Sequence, residues 1–126
     1  MRLLLDTNIV IARSSDWRSL GNAINSAIDS DDNSCFASVV SLWEIAIKKR
    51  VGKLDTPHSA RQIAEYFEAV EIPLLSIARE HVLADLEHQP DTRDPFDQLL
   101  LAICQVEGLR LVTLDRALAA HPLAWR

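Results

Sequence analysis

The feature of this sequence that most constrains its fold is the alternation of short apolar segments with segments of helical periodicity. Strands are predicted at 2–5, 35–38, 72–75 and 109–113, with 123–125 as a candidate fifth. Helices are predicted at 9–13, 20–28, 39–51, 56–70, 77–86, 95–107 and 115–120. Strands that alternate with helices are joined by crossovers into a parallel sheet. The sequence therefore predicts an α/β fold, with a central parallel sheet of four to five short strands flanked by helices.

The length and composition fit one domain. The chain has 126 residues, which suits one hydrophobic core, so we expect a single domain over residues 1–126. The apolar opening stops at Asp6, too early for the core of a signal peptide, and no apolar run approaches the ~20 residues that span a bilayer. Cys35 and Cys104 lie in apolar segments without metal-site or redox spacing. We therefore expect a cytoplasmic protein that does not contact a membrane.

The charge balance bears on the class of function. The formal net charge is −5 and the pI is about 5.2, whereas proteins that bind nucleic acid without specificity are usually basic. A cluster of carboxylates that binds a cation contributes several negative charges, and the bound cation reverses the sign locally. The acidic balance therefore argues mildly against a nonspecific nucleic-acid binder but does not exclude a nuclease.

Acidic residues recur where the predicted strands end. Asp6 follows the first strand and Asp115 follows the strand at 109–113. Asp94 and Asp97 stand three residues apart at a helix start, and Glu44 lies in the helix after the second strand. Ligands of open α/β sheets bind at the carboxyl ends of the strands. The topology therefore predicts that all five acids lie at one edge of the sheet.

Each acid taken singly has a structural explanation. Asp6, Asp94 and Asp115 are placed to cap the helices that follow them, and Ser41 with Glu44 resembles a capping box. Capping, however, needs one acid per helix and accepts Ser, Thr or Asn equally well. Carboxylates crowded together cannot all stay ionised without a counter-charge. Oxygen ligands without Cys or His suit Mg²⁺, with Mn²⁺ as a substitute, and a water on the metal can attack a phosphodiester.

Four segments in this order resemble the successive motifs of the PIN-domain family, in particular VapC-type ribonuclease toxins. They are LLLDTN at 3–8, SLWEIAIK at 41–48, RDPFDQLLLA at 93–102 and LVTLD at 111–115. Any one segment is weakly specific, but the four together cover nearly the whole chain. The resemblance implies a PIN-like sandwich fold and a Mg²⁺-dependent endoribonuclease, the toxin of a type II toxin–antitoxin pair. It also implies a homodimer that is inhibited by a cognate antitoxin.

The resemblance also assigns roles to the acids. Asp6, Glu44 and Asp97 match the metal ligands of the family, with Asp6 and Asp97 binding directly. Asp94 matches a further acid of the Asp-Pro-Phe-Asp motif, and Asp115 matches the most variable acid. One acid of the catalytic set is expected to orient or deprotonate the attacking water. That set is Asp6, Glu44, Asp97 and Asp115.

The sequence departs from the family pattern at two positions. Thr92 stands where this subgroup often has His, and Gln98 stands where Arg is common. Neither departure removes a candidate metal ligand. Both put the local contacts to RNA in doubt.

Other residues are candidates for substrate binding. Thr7, Asn8 and Thr113 adjoin candidate acids, although ordinary turn roles explain them equally well. Lys48 lies one helical turn after Glu44 and is the cation best placed to face the site. Trp43 is expected in the core rather than as a platform for base stacking. The four histidines are expected at the surface or in loops, at His58, His81, His88 and His121.

Two other classes of function fit parts of the pattern. An Asp after the first strand of an α/β fold can be the nucleophile of a haloacid-dehalogenase-like phosphatase, but that motif needs a second Asp where this chain has Asn8. A phospho-receiver domain needs a Lys after a later strand, and none lies near Thr113. A non-catalytic acidic module that binds a basic protein is the remaining alternative.

Overall fold

The computed structural model describes residues 1–126 and contains one four-stranded sheet. The strands are β1 (Arg2–Leu5), β2 (Ser34–Ser38), β3 (Leu74–Leu75) and β4 (Arg110–Val112). They lie in the order β3-β2-β1-β4, and every pair is parallel. The predicted α/β fold with a parallel sheet flanked by helices is confirmed.

Seven α-helices and one short 3₁₀ helix connect and flank these strands. The 3₁₀ helix spans Trp17–Leu20. The α-helices are α1 (Thr7–Ser14), α2 (Asn22–Asp29), α3 (Val39–Arg50), α4 (Ala60–Ala69), α5 (Arg79–Leu83), α6 (Pro95–Glu107) and α7 (Arg116–Ala119). The predicted bounds of α6 are confirmed, because Asp94 caps its start and Gly108 ends it in the left-handed conformation, at φ 69°.

The central strand β1 supplies apolar side chains to both faces of the sheet. Leu3 and Leu5 are fully buried in one core cluster with Phe67 of α4. Leu4 is fully buried in a second cluster with Leu100 of α6. Successive residues of a strand point to opposite faces, so a continuous apolar strand requires helices on both faces. The uninterrupted run of leucines at the start of the chain therefore specifies a strand covered by helices on both sides.

The strand order reverses beside β1. The chain moves from β1 to β2 and β3 on one side, then returns to place β4 on the other side of β1. Leu5 pairs with Val112, so β1 and β4 end side by side. Such a reversal of strand order opens a crevice at the carboxyl ends of the strands. Asp6 and Asp115 follow the two strands that flank it.

Three predicted elements are wrong in their bounds. Helix α4 begins at Ala60 and not at 56, because Ser59 and Gln62 form a capping box through reciprocal hydrogen bonds of 3.1 and 2.9 Å. The predicted helix at 77–86 is limited to α5, since Ala78 and Ala84 on either side are extended. The segment 123–125 makes only an isolated bridge, between Leu111 and Ala124.

Two histidines are buried: His81 in α5, contrary to the prediction of a surface or loop position, and His121, which lies in a loop as predicted. His81 accepts a hydrogen bond from the backbone N–H of Ala78 through Nδ1, and its Nε2 lies 2.8 Å from Glu107. Nε2 of His121 donates to the backbone oxygen of His88 at 2.8 Å. Both rings thus fasten loops to the body of the fold, a role that depends on tertiary contacts.

None of the helices combines the length and hydropathy needed to cross a membrane.

Candidate functional site

Three of the candidate acids are helix caps, as their positions predicted. One oxygen of each carboxylate accepts a backbone N–H of the following helix: Asp6 from Thr7 at 2.8 Å, Asp94 from Phe96 at 2.8 Å and Asp115 from Ala117 at 2.9 Å. The acceptor is Oδ1 in all three. Capping therefore orients each carboxylate and leaves its second oxygen available for another contact.

The second oxygen of Asp6 joins the ends of β1 and β4. The Thr113 hydroxyl donates to Oδ2 of Asp6 at 2.6 Å, and the backbone N–H of Asp6 donates to the Val112 oxygen at 2.9 Å. The side chain is almost fully buried. Burial raises the pKa of Asp6, and the carboxylates of Glu44 and Asp115 raise it further, while the hydrogen bonds from Thr113 and Thr7 act in the opposite direction.

Glu44 caps no helix and is held by side chains. The Thr7 hydroxyl donates to Oε1 of Glu44 at 2.6 Å and lies 2.9 Å from Oγ of Ser41. Because Thr7 has a single hydroxyl proton, Ser41 is the donor in the second contact. Helix α3 is capped instead by Ser38, whose hydroxyl accepts from Val40, so the predicted capping box of Ser41 and Glu44 is wrong.

Lys48 supplies the positive charge nearest to these acids. Its Nζ forms an ion pair with Oε2 of Glu44 and lies 3.9 Å from Oδ2 of Asp94. Partial burial alone would lower the pKa of Lys48, but the contact with Glu44 and the charges of Asp94 and Asp97 raise it above its ordinary value. Lys48 is therefore a permanent cation, and one ammonium faces several carboxylates.

Asp97 is the acid whose ionised carboxylate has the fewest stabilising contacts. Its side chain is 8% exposed, in the first turn of α6, and no hydrogen bond within the protein lowers its pKa. Burial, the larger cause, and the charges of the surrounding carboxylates together raise the pKa of Asp97 to about 7. In order of influence these are Asp94, Asp6, Glu44 and Asp115. The structure thus brings all five predicted acids close enough to interact, with Asp97 among them.

The chemistry of these groups fits a divalent cation of the Mg²⁺ type. All the donors are carboxylate or hydroxyl oxygens, and Asp97 is a carboxylate without a protein partner. As the side chains stand, no three acidic, His or Cys groups form a ready-made ligand shell. Mg²⁺ needs none, because it is usually bound by one or two carboxylates together with several waters.

The remaining candidates divide into supporting and peripheral residues. Thr7 and Thr113 hold Glu44 and Asp6 through their hydroxyls. Asn8 is exposed at the start of α1. The Thr92 hydroxyl accepts a hydrogen bond from the backbone N–H of Asp94 at 3.1 Å, so this departure from the family pattern supports the loop before α6.

Two residues at the site were misjudged from the sequence. Ser41 was predicted only as a helix cap, and its spacing gave no signal of a contact with Thr7 of another helix. Trp43 was predicted in the core, but 59% of its surface is exposed. The apolar stripe of α3 that suggested burial includes one position at the rim of the acidic cluster.

The comparisons with known proteins point to one family. The family model of the PIN domain matches residues 3–122. No curated protein matches the chain. A toxin–antitoxin complex from Klebsiella pneumoniae aligns with a TM-score of 0.63 and 18% identity, over 98% of this chain and 96% of that chain. The structure of VapBC2 from Rickettsia felis, bound to a DNA fragment from the VapBC2 promoter, aligns with a TM-score of 0.62 and 14% identity. This alignment also covers 98% of this chain and 96% of that chain. At these identities the two alignments establish similarity of fold.

Proposed function

This chain belongs to the PIN-domain family, and from that premise we propose that it is a Mg²⁺-dependent endoribonuclease, the toxin of a toxin–antitoxin pair. The observation that carries the proposal is Asp97, a nearly buried carboxylate surrounded by four others, whose pKa is raised to about 7. An acid in the first turn of α6 gains from the helix dipole, but this gain does not require burial among four other carboxylates. A divalent cation supplies the missing counter-charge.

The proposed metal ligands are Asp6 and Asp97, with Glu44 binding directly or through water. Asp94 and Asp115 support them through the oxygens that capping leaves available. When bound, the cation supplies the Lewis acidity that activates water and offsets the charge on the phosphoryl oxygens. Mn²⁺ offers the same oxygen-ligand chemistry and is expected to replace Mg²⁺.

The protein's own residues hold this arrangement in place. Thr113 fixes Oδ2 of Asp6, and Thr7 fixes Oε1 of Glu44. Lys48 offsets part of the negative charge and is half-exposed, so it is placed to contact a phosphate of the substrate. Without metal the pKa of Asp97 is near neutrality, so a cation that binds Asp97 displaces a proton from it.

The biological setting is part of the same proposal. The two similar structures come from toxin–antitoxin assemblies, and they support a cognate antitoxin as a partner of this chain. We further propose a cytoplasmic homodimer, with residues 1–126 forming one domain. A basic segment of the antitoxin would complement the acidic crevice.

The phosphatase alternative is disfavoured by the residue at position 8. That motif needs a second Asp two residues after the nucleophile, and this chain has the neutral side chain of Asn8 there, exposed at the start of α1. The acidic module that only binds a protein partner leaves the uncompensated Asp97 without a role. It stays as an outcome of the experiment.

The test is RNA cleavage by the purified chain, free of any partner protein. Total RNA and a tRNA pool are incubated with Mg²⁺, with Mn²⁺ or with EDTA. The wild type is compared with Asp6→Asn, Asp97→Asn and the matched control Asp16→Asn, since Asp16 precedes a helix without capping it through its side chain. Metal-dependent cleavage that both site variants lose and Asp16→Asn retains is expected. Equal cleavage by all variants, or none by the wild type with Mn²⁺ shown to bind, would contradict the proposal.

A further inference from the structure

A pair of aromatic rings, Trp43 exposed and Phe96 partly buried, borders the acidic cluster. Trp43 directly precedes Glu44 on α3, and Phe96 directly precedes Asp97 on α6. The two rings meet edge to face, with their centroids 5.8 Å apart and their planes at 78°. The ammonium of Lys48 lies 5.8 Å from the centroid of the Phe96 ring. The pair therefore spans the two helices that carry Glu44 and Asp97.

We propose that Trp43 stacks on an unpaired nucleobase of the RNA substrate. The inference rests on the proposed nuclease function and adds a residue that binds the substrate through a base. Phe96 acts as a positioning residue that holds the indole ring at the rim.

The position of Trp43 on α3 supports this role. Consecutive residues of a helix diverge by about 100°, so the neighbour of an inward-pointing acid lies at the rim of the site. Glu44 is buried and Trp43 is 59% exposed, which matches that geometry. An exposed indole forgoes the free energy of burial, so a large exposed aromatic beside a site is more informative than an exposed polar residue.

The contact with Phe96 orients the indole without covering it. In this edge-to-face pair at least one face of the indole is not covered by Phe96, so a planar group can still stack on it. The Phe96 side chain is itself held in place, because it is partly buried and packs against the hydrophobic core. A preorganised ring loses little conformational entropy when it binds a ligand.

The chemistry of the surroundings favours a nucleobase as the occupant. Stacking on tryptophan uses the π face that every base possesses, and it needs no cationic surface. It therefore provides affinity in a chain whose net charge of −5 discourages binding through the backbone phosphates alone. A base inside a duplex has both faces covered by its neighbours, so only an unpaired base can stack on the indole.

The test is a cycle that removes the ring from the protein and the base from the RNA. The probes are fluorescein-labelled A12 RNA, U12 RNA and a twelve-unit ribose-phosphate oligomer without bases. Affinity is measured by fluorescence anisotropy with Ca²⁺ in place of Mg²⁺, and gels confirm that the probes stay intact. The proteins are the wild type, Trp43→Ala, Trp43→Phe and Trp17→Ala, a control in which a comparably exposed tryptophan, 47% exposed, is removed outside the acidic cluster.

The expected result is a loss of affinity that requires both the ring and the base. Trp43→Ala raises the Kd for A12 about 5- to 100-fold, whereas Trp43→Phe stays within about threefold of the wild type. Trp43→Ala does not change the weak binding of the baseless oligomer, and Trp17→Ala binds every probe like the wild type. In cleavage of A12 with Mg²⁺, Trp43→Ala raises KM and leaves kcat nearly unchanged, because the base contact is the same in the ground state and the transition state.

Two outcomes would overturn the inference. One is equal binding of A12 by the wild type and Trp43→Ala, with thermal unfolding showing that both are folded. The other is a change in oligomeric state or in binding of the antitoxin on Trp43→Ala with RNA binding intact, which would assign the rings to a protein interface. Either can occur while Asp97→Asn still abolishes metal-dependent cleavage, so failure of the stacking role is distinguishable from failure of the nuclease proposal.

Discussion

Replacement of Asp97 by Asn is predicted to stabilise the metal-free protein at neutral and alkaline pH. The folded protein raises the pKa of Asp97 from 3.8 to about 7, so folding favours the protonated carboxyl. The unfolded chain loses this proton near pH 4 and the folded chain near pH 7. The stabilising contribution of the protonated group is therefore complete below pH 4, declines as pH rises to 7, and is absent above that value. Asparagine keeps the shape of the side chain and does not titrate.

The size of the effect follows from the shift. About three pKa units at 1.36 kcal/mol each give a ceiling of about 4 kcal/mol. The site is open to solvent at one edge, and screening reduces the interaction with the other carboxylates, so about 2 kcal/mol is the expected value. For a domain of this size the melting temperature of Asp97→Asn should exceed that of the wild type by about 5 to 10 °C at pH 8.

Thermal and urea unfolding in EDTA at pH 4, 6 and 8 would measure this difference. The gap between the two proteins should widen with pH, while the gap between the wild type and Asp16→Asn should stay constant. An Asp97→Asn protein that is less stable than the wild type at pH 8, or a gap independent of pH, would refute the reasoning. Either result would mean that ionised Asp97 has a favourable partner and that its repulsion by the other carboxylates does not destabilise the folded protein.

Three further predictions follow from the same contacts. Mg²⁺ should raise the melting temperature of the wild type more at pH 8 than at pH 6, because the cation competes with the proton on Asp97. It should not raise the melting temperature of Asp97→Asn. Differential scanning fluorimetry over a Mg²⁺ titration checks both expectations. Thr7→Val should destabilise the protein by about 1–3 kcal/mol, since buried Ser41 and Glu44 lose their shared partner; urea unfolding against Asn8→Ala as the control tests it. Lys48→Met should tighten Mg²⁺ binding, because the ammonium no longer neutralises Glu44, and should raise the KM for RNA, because it no longer contacts phosphate. Calorimetry measures the Kd for Mg²⁺ and cleavage kinetics the KM, and an unchanged Kd together with an unchanged KM would refute the prediction.

The sequence predicted best the elements whose signals are local. The leucines of β1 form a continuous apolar run, which is typical of a strand covered on both faces. The start of α6 has a capping Asp followed by Pro95, and its end has Gly108 in the left-handed conformation, so both bounds could be read directly. The start of α4 could not be predicted in the same way, because the sequence has two competing start signals, Thr56-Pro57 and Ser59 with Gln62. In the structure the capping box of Ser59 and Gln62 forms, and the backbone oxygens of Thr56 and His58 accept hydrogen bonds from Lys49 before the helix begins.

At the site, positions along strands were predictable and partners were not. The rule that parallel strands end at one edge is enough to expect Asp6 near Asp115. The contact of Thr7 with Glu44 joins residues that are 37 positions apart, and no spacing rule anticipates it. The exposure of Trp43 was equally hidden, because the helical repeat gives the face of α3 but not which turn of that face reaches the rim.

Capping and metal binding are compatible roles for these acids, because they use different oxygens of the same side chains. Asp6, Asp94 and Asp115 each give Oδ1 to a helix start, and this contact stabilises the fold whether or not a cation is present. Asp97 gives nothing to a cap, and its raised pKa marks an unfavourable interaction that the folded protein retains. The capping hydrogen bonds thus hold three carboxylates in place despite their electrostatic repulsion by Asp97. Sites that keep such repulsion usually do so because function needs it. If Asn at position 97 stabilises the protein and abolishes cleavage together, the repulsion will be the cost of the metal site.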